Sequence, residues 1–145
     1  MARIKVNLPE NFFFTTVIPI RITDLNYGGH VGNDTILSLL HEARVQFLNH
    51  LQYTELNFAG VGLIMSDVAI EFKSELFYGD VIKAHVAAGD FSKIGFEIYY
   101  KMVNEKNEKV IATAKTGMVC YDYEKKKVVT VPEEAVKKLT GLNGW

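Results

Sequence analysis

Cysteine is nearly absent from this chain: Cys120 stands alone among 145 residues. A single thiol closes no intrachain disulfide, so the fold rests on its core, and the usage fits a reducing compartment. Set among apolar residues in "TGMVCYDY", Cys120 reads as a buried structural thiol. Neither sign of charge dominates either. Sixteen Lys and Arg against seventeen Asp and Glu leave a net charge of −1, and no basic stretch alternates with aromatics, so nothing here recruits nucleic acid. The only charge run, Lys125 to Lys127, reads as a solvated hairpin tip. No apolar run is long enough to cross a bilayer. The first residues have too short an apolar run for a signal peptide and no small-residue cleavage site, so a cytoplasmic protein without membrane insertion is expected. His41, His50 and His85 show no metal-ligand spacing, and both phosphate-cradling glycine motifs are missing. No metal and no cofactor are expected.

What is present is a helix between strands. Ile36, Leu40, Ala43, Phe47 and Leu51 recur at helical spacing, and Leu37, Leu39, Val45 and Leu48 widen the stripe. A helix from about Asn33 to Leu51, apolar over much of its circumference, should be wrapped by other structure. Asn33 or Asp34 is the expected N-cap. Before it, "FFFTTVIPIRI" (Phe12 to Ile22) is β-branched and aromatic, with Pro19 marking an edge or a bulge. After it, "LIMSDVAIEFKSE", "VIKAHVAAGDF", "KIGFEIYYKMVN" and "VIATAKTGMVCYDY" read as a four-stranded antiparallel meander. Met65, Asp67, Ala69 and Glu71 are expected on one side of the first of these strands, and Ile94 to Met102 alternate on one face of the third. "VPEEAVKKL" closes the chain as a short helix. The fold class is α+β, one antiparallel sheet of five or six strands curling around one long helix, in a single domain over 1–145. An exposed sheet edge invites a second copy, so at least a homodimer is expected.

Between the first strand and the helix lies "DLNYGGHVGND", Asp24 to Asp34, with Gly28, Gly29 and Gly32 among polar residues. Glycines this dense let a backbone approach something closely. Asp24, Asn26, Gly29, His30, Val31 and Asn33, with Glu42-Ala43-Arg44 following at a spacing that agrees with the family's, resemble the hot-dog fold acyl thioesterases related to 4-hydroxybenzoyl-CoA thioesterase. "VAIEFKSELFYGDVIKAHV" and "GMVCYDYEKKKVVTVPEEA" are similar to that family's later segments, and the resemblance covers roughly residues 15 to 137.

The resemblance implies hydrolysis of an acyl-CoA or acyl-carrier-protein thioester by a homodimer or homotetramer, at a site between subunits. The acyl carbonyl would lie against backbone amides of Gly32, Asn33 and Asp34, where free N–H groups and the helix dipole stabilise an oxyanion. Asn33 is the default cap, and its N–H is the donor of interest. The chain departs from the family at one letter. The usual catalytic aspartate falls on Asn26, and an amide accepts no proton. Asn26 could position a water whose proton His30 accepts; His30 matches the histidine of plant acyl-carrier-protein thioesterases, whose asparagine falls on Gly28. Alternatively Asp24 (~7 Å along an alternating strand), or Glu71 from a neighbouring strand or protomer, supplies the base, or the site binds acyl groups without hydrolysing them. Glu42 and Arg44 read as structural, Glu42 being half a turn away from the site end.

Overall fold

The computed structural model describes residues 2–141. Strand β1 (Phe14–Pro19) leads through a 3-10 turn (Ile22–Asp24) to helix α1 (Asn33–His50), then β2 (Gly62–Phe72), β3 (Val81–Gly89), β4 (Gly95–Asn104), β5 (Val110–Asp122), β6 (Lys127–Val128) and α2 (Glu133–Gly141). All pairings are antiparallel, and the sheet order is β1-β3-β4-β5-β2, with β6 paired to the end of β5. The hot-dog arrangement is present: one sheet against one helix of 18 residues.

Alternation gives the sheet two faces. One row of register partners runs Phe14, Val86, Tyr100, Ala114, Ile70 and faces the helix. There Leu40, Ala43, Phe47 and Leu48 of α1 join Ile82, Ala84, Ile98 and Met102 in one buried core. The adjacent row, Thr15, His85, Lys101, Thr113 and Glu71, faces away. Residues 6–12 cross that outer row as a strap. The Val6 N–H donates to Glu71 Oε1 at 2.6 Å, and the Phe12 ring meets His85 at 6.0 Å.

Four expectations are corrected. The meander is broken, because β2 pairs with β5 at the far edge and not with β3. Residues 73–80 therefore carry the chain back past three strand spacings, about 14 Å, and this link passes the start of α1, where the Val31 N–H donates to Leu76 O at 2.9 Å. A register shift between Met65 and Asp67 marks a bulge at Ser66. It turns Met65 to the helix side and leaves Asp67, Ala69 and Glu71 on the other. The first strand is shorter than 12–22, ending at Pro19 on the sheet edge, where a missing N–H costs nothing. Strand β4 starts at Gly95, so Ile94 stays exposed outside its alternation. The sheet packs on α1 as expected, and Leu37 and Val45 lie on the exposed part of the helix.

Candidate active site

The chain enters α1 through a loop closed on itself. The Asn26 N–H donates to His30 O at 2.9 Å, and the Gly29 N–H to Asn26 O at 3.1 Å, with Gly29 at φ +84. Asn26 Oδ1 accepts the Gly28 N–H at 2.9 Å, an Asx turn that fixes the side chain over the loop. A Cβ built on Gly28 would lie 3.2 Å from Asn26 Oδ1 and 3.7 Å from His30 Nε2, so both side chains converge above this glycine. The loop is then stitched to the β2–β3 link, where His30 forms a bridge with Phe77 and their rings meet edge to face at 6.4 Å.

The helix cap is Gly32, not Asn33 or Asp34. Gly32 is extended (φ −73, ψ 157), and its carbonyl accepts the Thr35 and Ile36 N–H groups at 3.0 and 3.2 Å. Asn33 and Asp34 thus form the first turn, and no side chain caps it. Among the described residues, the amides of Asn33 and Asp34 donate to no group of the chain, and that of Gly32 makes no close bond, facing Asp24 O across the Leu25–Val31 bridge. The Asn33 and Asp34 amides are orphan donors at the positive end of the helix dipole. Two side chains overhang them. A Cβ on Gly32 would lie 2.6 Å from Asp34 Oδ1 and 3.6 Å from Asn26 Nδ2.

His30 is half-buried, and its Nδ1 lies 3.2 Å from Val31 O. A ring nitrogen facing a carbonyl must donate, so in the neutral imidazole Nε2 is the proton acceptor. Beside it a groove of ≈ 370 Å³ is walled by His30, Asn33 and Ile36 on one side and by Phe72, Glu75 and Leu76 on the other.

The two alternative acids sit elsewhere. Asp24 ends the 3-10 turn, which breaks the alternation that would align it with Asn26. It is buried, and its Oδ2 accepts the Arg21 N–H at 2.8 Å while Arg21 Nη2 stands 3.4 Å from Oδ1. Glu71 lies on the outer sheet face. The Val6 N–H bond, helped by Lys73, holds its carboxyl below the usual carboxylate range, which makes it a weaker base. Within one chain the structure brings together Asn26, His30, Gly32, Asn33 and Asp34, but neither Asp24 nor Glu71 joins them. Glu75 is the acid that does line the groove, and sequence reasoning passed over it. The signal was there in "KSELFYGD", an eight-residue segment longer than a tight turn needs. Cys120 takes no part, since burial pushes its thiol up to about 11. Arg44 is buried, with Nη1 donating to Tyr100 Oη at 3.2 Å, a role inside the core. Glu42 is exposed on the helix.

A sequence model of the thioesterase-like superfamily matches residues 20–139. Among solved structures, a 1,4-dihydroxy-2-naphthoyl-CoA thioesterase from Synechocystis is similar at a TM-score of 0.81 and 20% identity, over 90% of this chain and 97% of that one. A DHNA-CoA thioesterase from Staphylococcus aureus gives 0.78 and 20%, over 90% and 92%. A thioesterase from Thermus thermophilus, solved with coenzyme A and Zn, gives 0.81 and 18%, over 94% and 99%. At these identities the structures establish a shared fold. The match over residues 20–139 goes further, and by it the chain belongs to the thioesterase-like superfamily.

Proposed function

We propose that this protein hydrolyses an acyl thioester whose carbonyl oxygen lies against the first turn of α1. The observation that carries the reading is the pair of unpaired amides at Asn33 and Asp34, with that of Gly32 only loosely engaged, beside His30 and opening on a groove. Water attacks the carbonyl carbon while His30 Nε2 takes its proton, and the amides hold the oxyanion. Collapse breaks the carbon–sulfur bond, and the imidazolium returns the proton to the departing thiolate, giving a carboxylic acid and a thiol. Removing one oxyanion donor in comparable sites costs about 10² to 10³ in kcat, so these amides and one base can supply most of the acceleration. Asn26 acts by donation. Its Oδ1 is engaged by the Gly28 N–H, which leaves the Nδ2 hydrogens to orient water or carbonyl.

The site is completed by a second copy. Strand β2 is an edge of the sheet, and Met65, Val68 and Phe72 on its helix-facing side stay exposed. Pairing of two β2 edges closes the sheet and covers those side chains. Phe72 also walls the groove, so the partner borders the site.

A second reading, an acyl-binding module without hydrolysis, is favoured by one feature: no carboxylate stands where Asn26 does. Thiol release measured over aliphatic and aromatic acyl-CoAs, for wild type and Asn26→Asp, separates the two. Turnover by wild type supports hydrolysis. A wild type inert on every substrate beside an active Asn26→Asp establishes the binding module.

A further inference from the structure

The hairpin joining β4 to β5 borders a second hollow that runs into the groove. This trough, ≈ 640 Å³, has Asn104, Lys106, Asn107 and Lys109 along one side and the half-exposed Phe77 ring on the other; Ser74 and Glu75 line both it and the groove at the helix start. The hairpin is built to present these groups. Asn104, only 5% exposed, accepts the Lys106 N–H on Oδ1 at 3.0 Å, and Asn107 Oδ1 accepts the Lys109 N–H at 2.9 Å. With both amide oxygens engaged, the NH₂ groups remain as donors. Among the described residues, Lys106 and Lys109 make no ion pair, whereas Lys73 is tied to Glu71 at 3.1 Å. Of the acids bordering the trough, Asp80 is occupied by the Phe77 N–H at 2.9 Å, and Glu75 sits at the junction with the groove.

Two unpaired ammonium groups, amide donors and an aromatic face form a set that suits a phosphorylated nucleotide: phosphate oxygens take the cations, and a purine stacks on the ring. We propose that this trough seats the nucleotide end of a coenzyme A thioester while its thiol end reaches the amides of α1. The inference rests on the thioester reading above and sharpens it, because a carrier-protein thioester has no nucleotide to place there.

Calorimetric binding of coenzyme A, its 3′-dephospho form and pantetheine, to wild type and to the Lys106→Ala/Lys109→Ala double variant, tests this without hydrolysis. Both side chains are exposed and backbone and asparagine bonds hold the hairpin, so the variant should fold; its melting curve checks that. Wild type should bind coenzyme A about tenfold more tightly than pantetheine, with dephospho-coenzyme A between them, and the double variant should lose that margin. The margin should also shrink as salt rises. Equal affinities in wild type, or an unchanged margin in the variant, overturn the proposal. In turnover, the ratio of kcat/KM for acyl-CoA to that for the acyl N-acetylcysteamine thioester should fall about tenfold in the variant. Both thioesters turned over equally well by wild type would leave hydrolysis standing and remove the trough. A coenzyme A margin that the double variant abolishes, in a protein that hydrolyses neither, would do the reverse. Preference for an acyl-carrier protein over the matching acyl-CoA also overturns it.

Discussion

The two faces of the sheet use polar groups in opposite ways. On the outer face several charges and donors satisfy one another, Glu71 accepting from Val6 and Lys73, Thr15 meeting His85 at 2.8 Å and Tyr99 donating to Asp90, while Glu97 Oε2 and Thr113 Oγ1 are buried without a partner among the described residues. Burial there pushes Glu97 up and His85 down. At the start of α1 the loop bonds itself closed and still leaves the Asn33 and Asp34 amides, the Asn26 NH₂ and one imidazole nitrogen without a close partner among the described residues. The shifted ionisations lie on the outer face (Glu71, His85, Glu97), in the core (Tyr100, Cys120) and at a hairpin (Asp122), and none lies in the loop, where solvent-facing donors are left over instead. Ionisation shifts alone would therefore point away from the loop. Solvent-facing donors with nothing to donate to are the better guide.

Removing His30 should break the contrast most severely. His30→Ala is expected to lower kcat for thioester hydrolysis about a hundredfold or more, with KM little changed; turnover at the wild-type rate would discard His30 as the base. Next comes the partner copy. Val68→Lys sets a charge on the exposed apolar side of the β2 edge, and should yield monomers by analytical ultracentrifugation with kcat down about tenfold or more. Asn26→Ala removes both the Gly28 acceptor and the Nδ2 donors, and about a tenfold loss in kcat/KM is expected.

The outer face supplies the smallest effects. Val6→Pro deletes the donor to Glu71, and should lower the melting temperature by a few degrees with kcat unaffected. The sign of the pH dependence follows from the depressed Glu71 ionisation. Its contribution is present above the unfolded-state value of 4.5 and is lost as pH falls through the lower folded value. The melting temperatures of wild type and Glu71→Gln should accordingly differ near neutrality and converge in acid.

Much of this geometry was legible in the letters. Ile36, Leu40, Ala43 and Phe47 marked the helix to within a residue at its C-terminal end, and "DLNYGGHVGND" marked the loop before it, because helical periodicity and glycine density are local properties. Lys125 to Lys127 do lie exposed at a hairpin, and Cys120 is buried. What escaped was non-local. Nothing near Phe72 announces that its strand pairs with β5 at the far edge, so Glu75 reads as the end of that strand and the link past the loop as the short turn of a meander. The Ser66 bulge reversed the side of Met65 for a similar reason: an added residue is defined by the opposite strand, not by its own neighbours. The side of Asp24 was misread through a 3-10 turn too short to show any period.

A crystal structure with a non-hydrolysable ketone analogue of an acyl-CoA tests the central claim most directly. The ketone oxygen should lie about 2.7–3.2 Å from one or more of the amides of Gly32, Asn33 and Asp34, with His30 Nε2 facing the carbonyl carbon across room for one water. A ketone oxygen held by other groups, with those amides left to solvent, would contradict it.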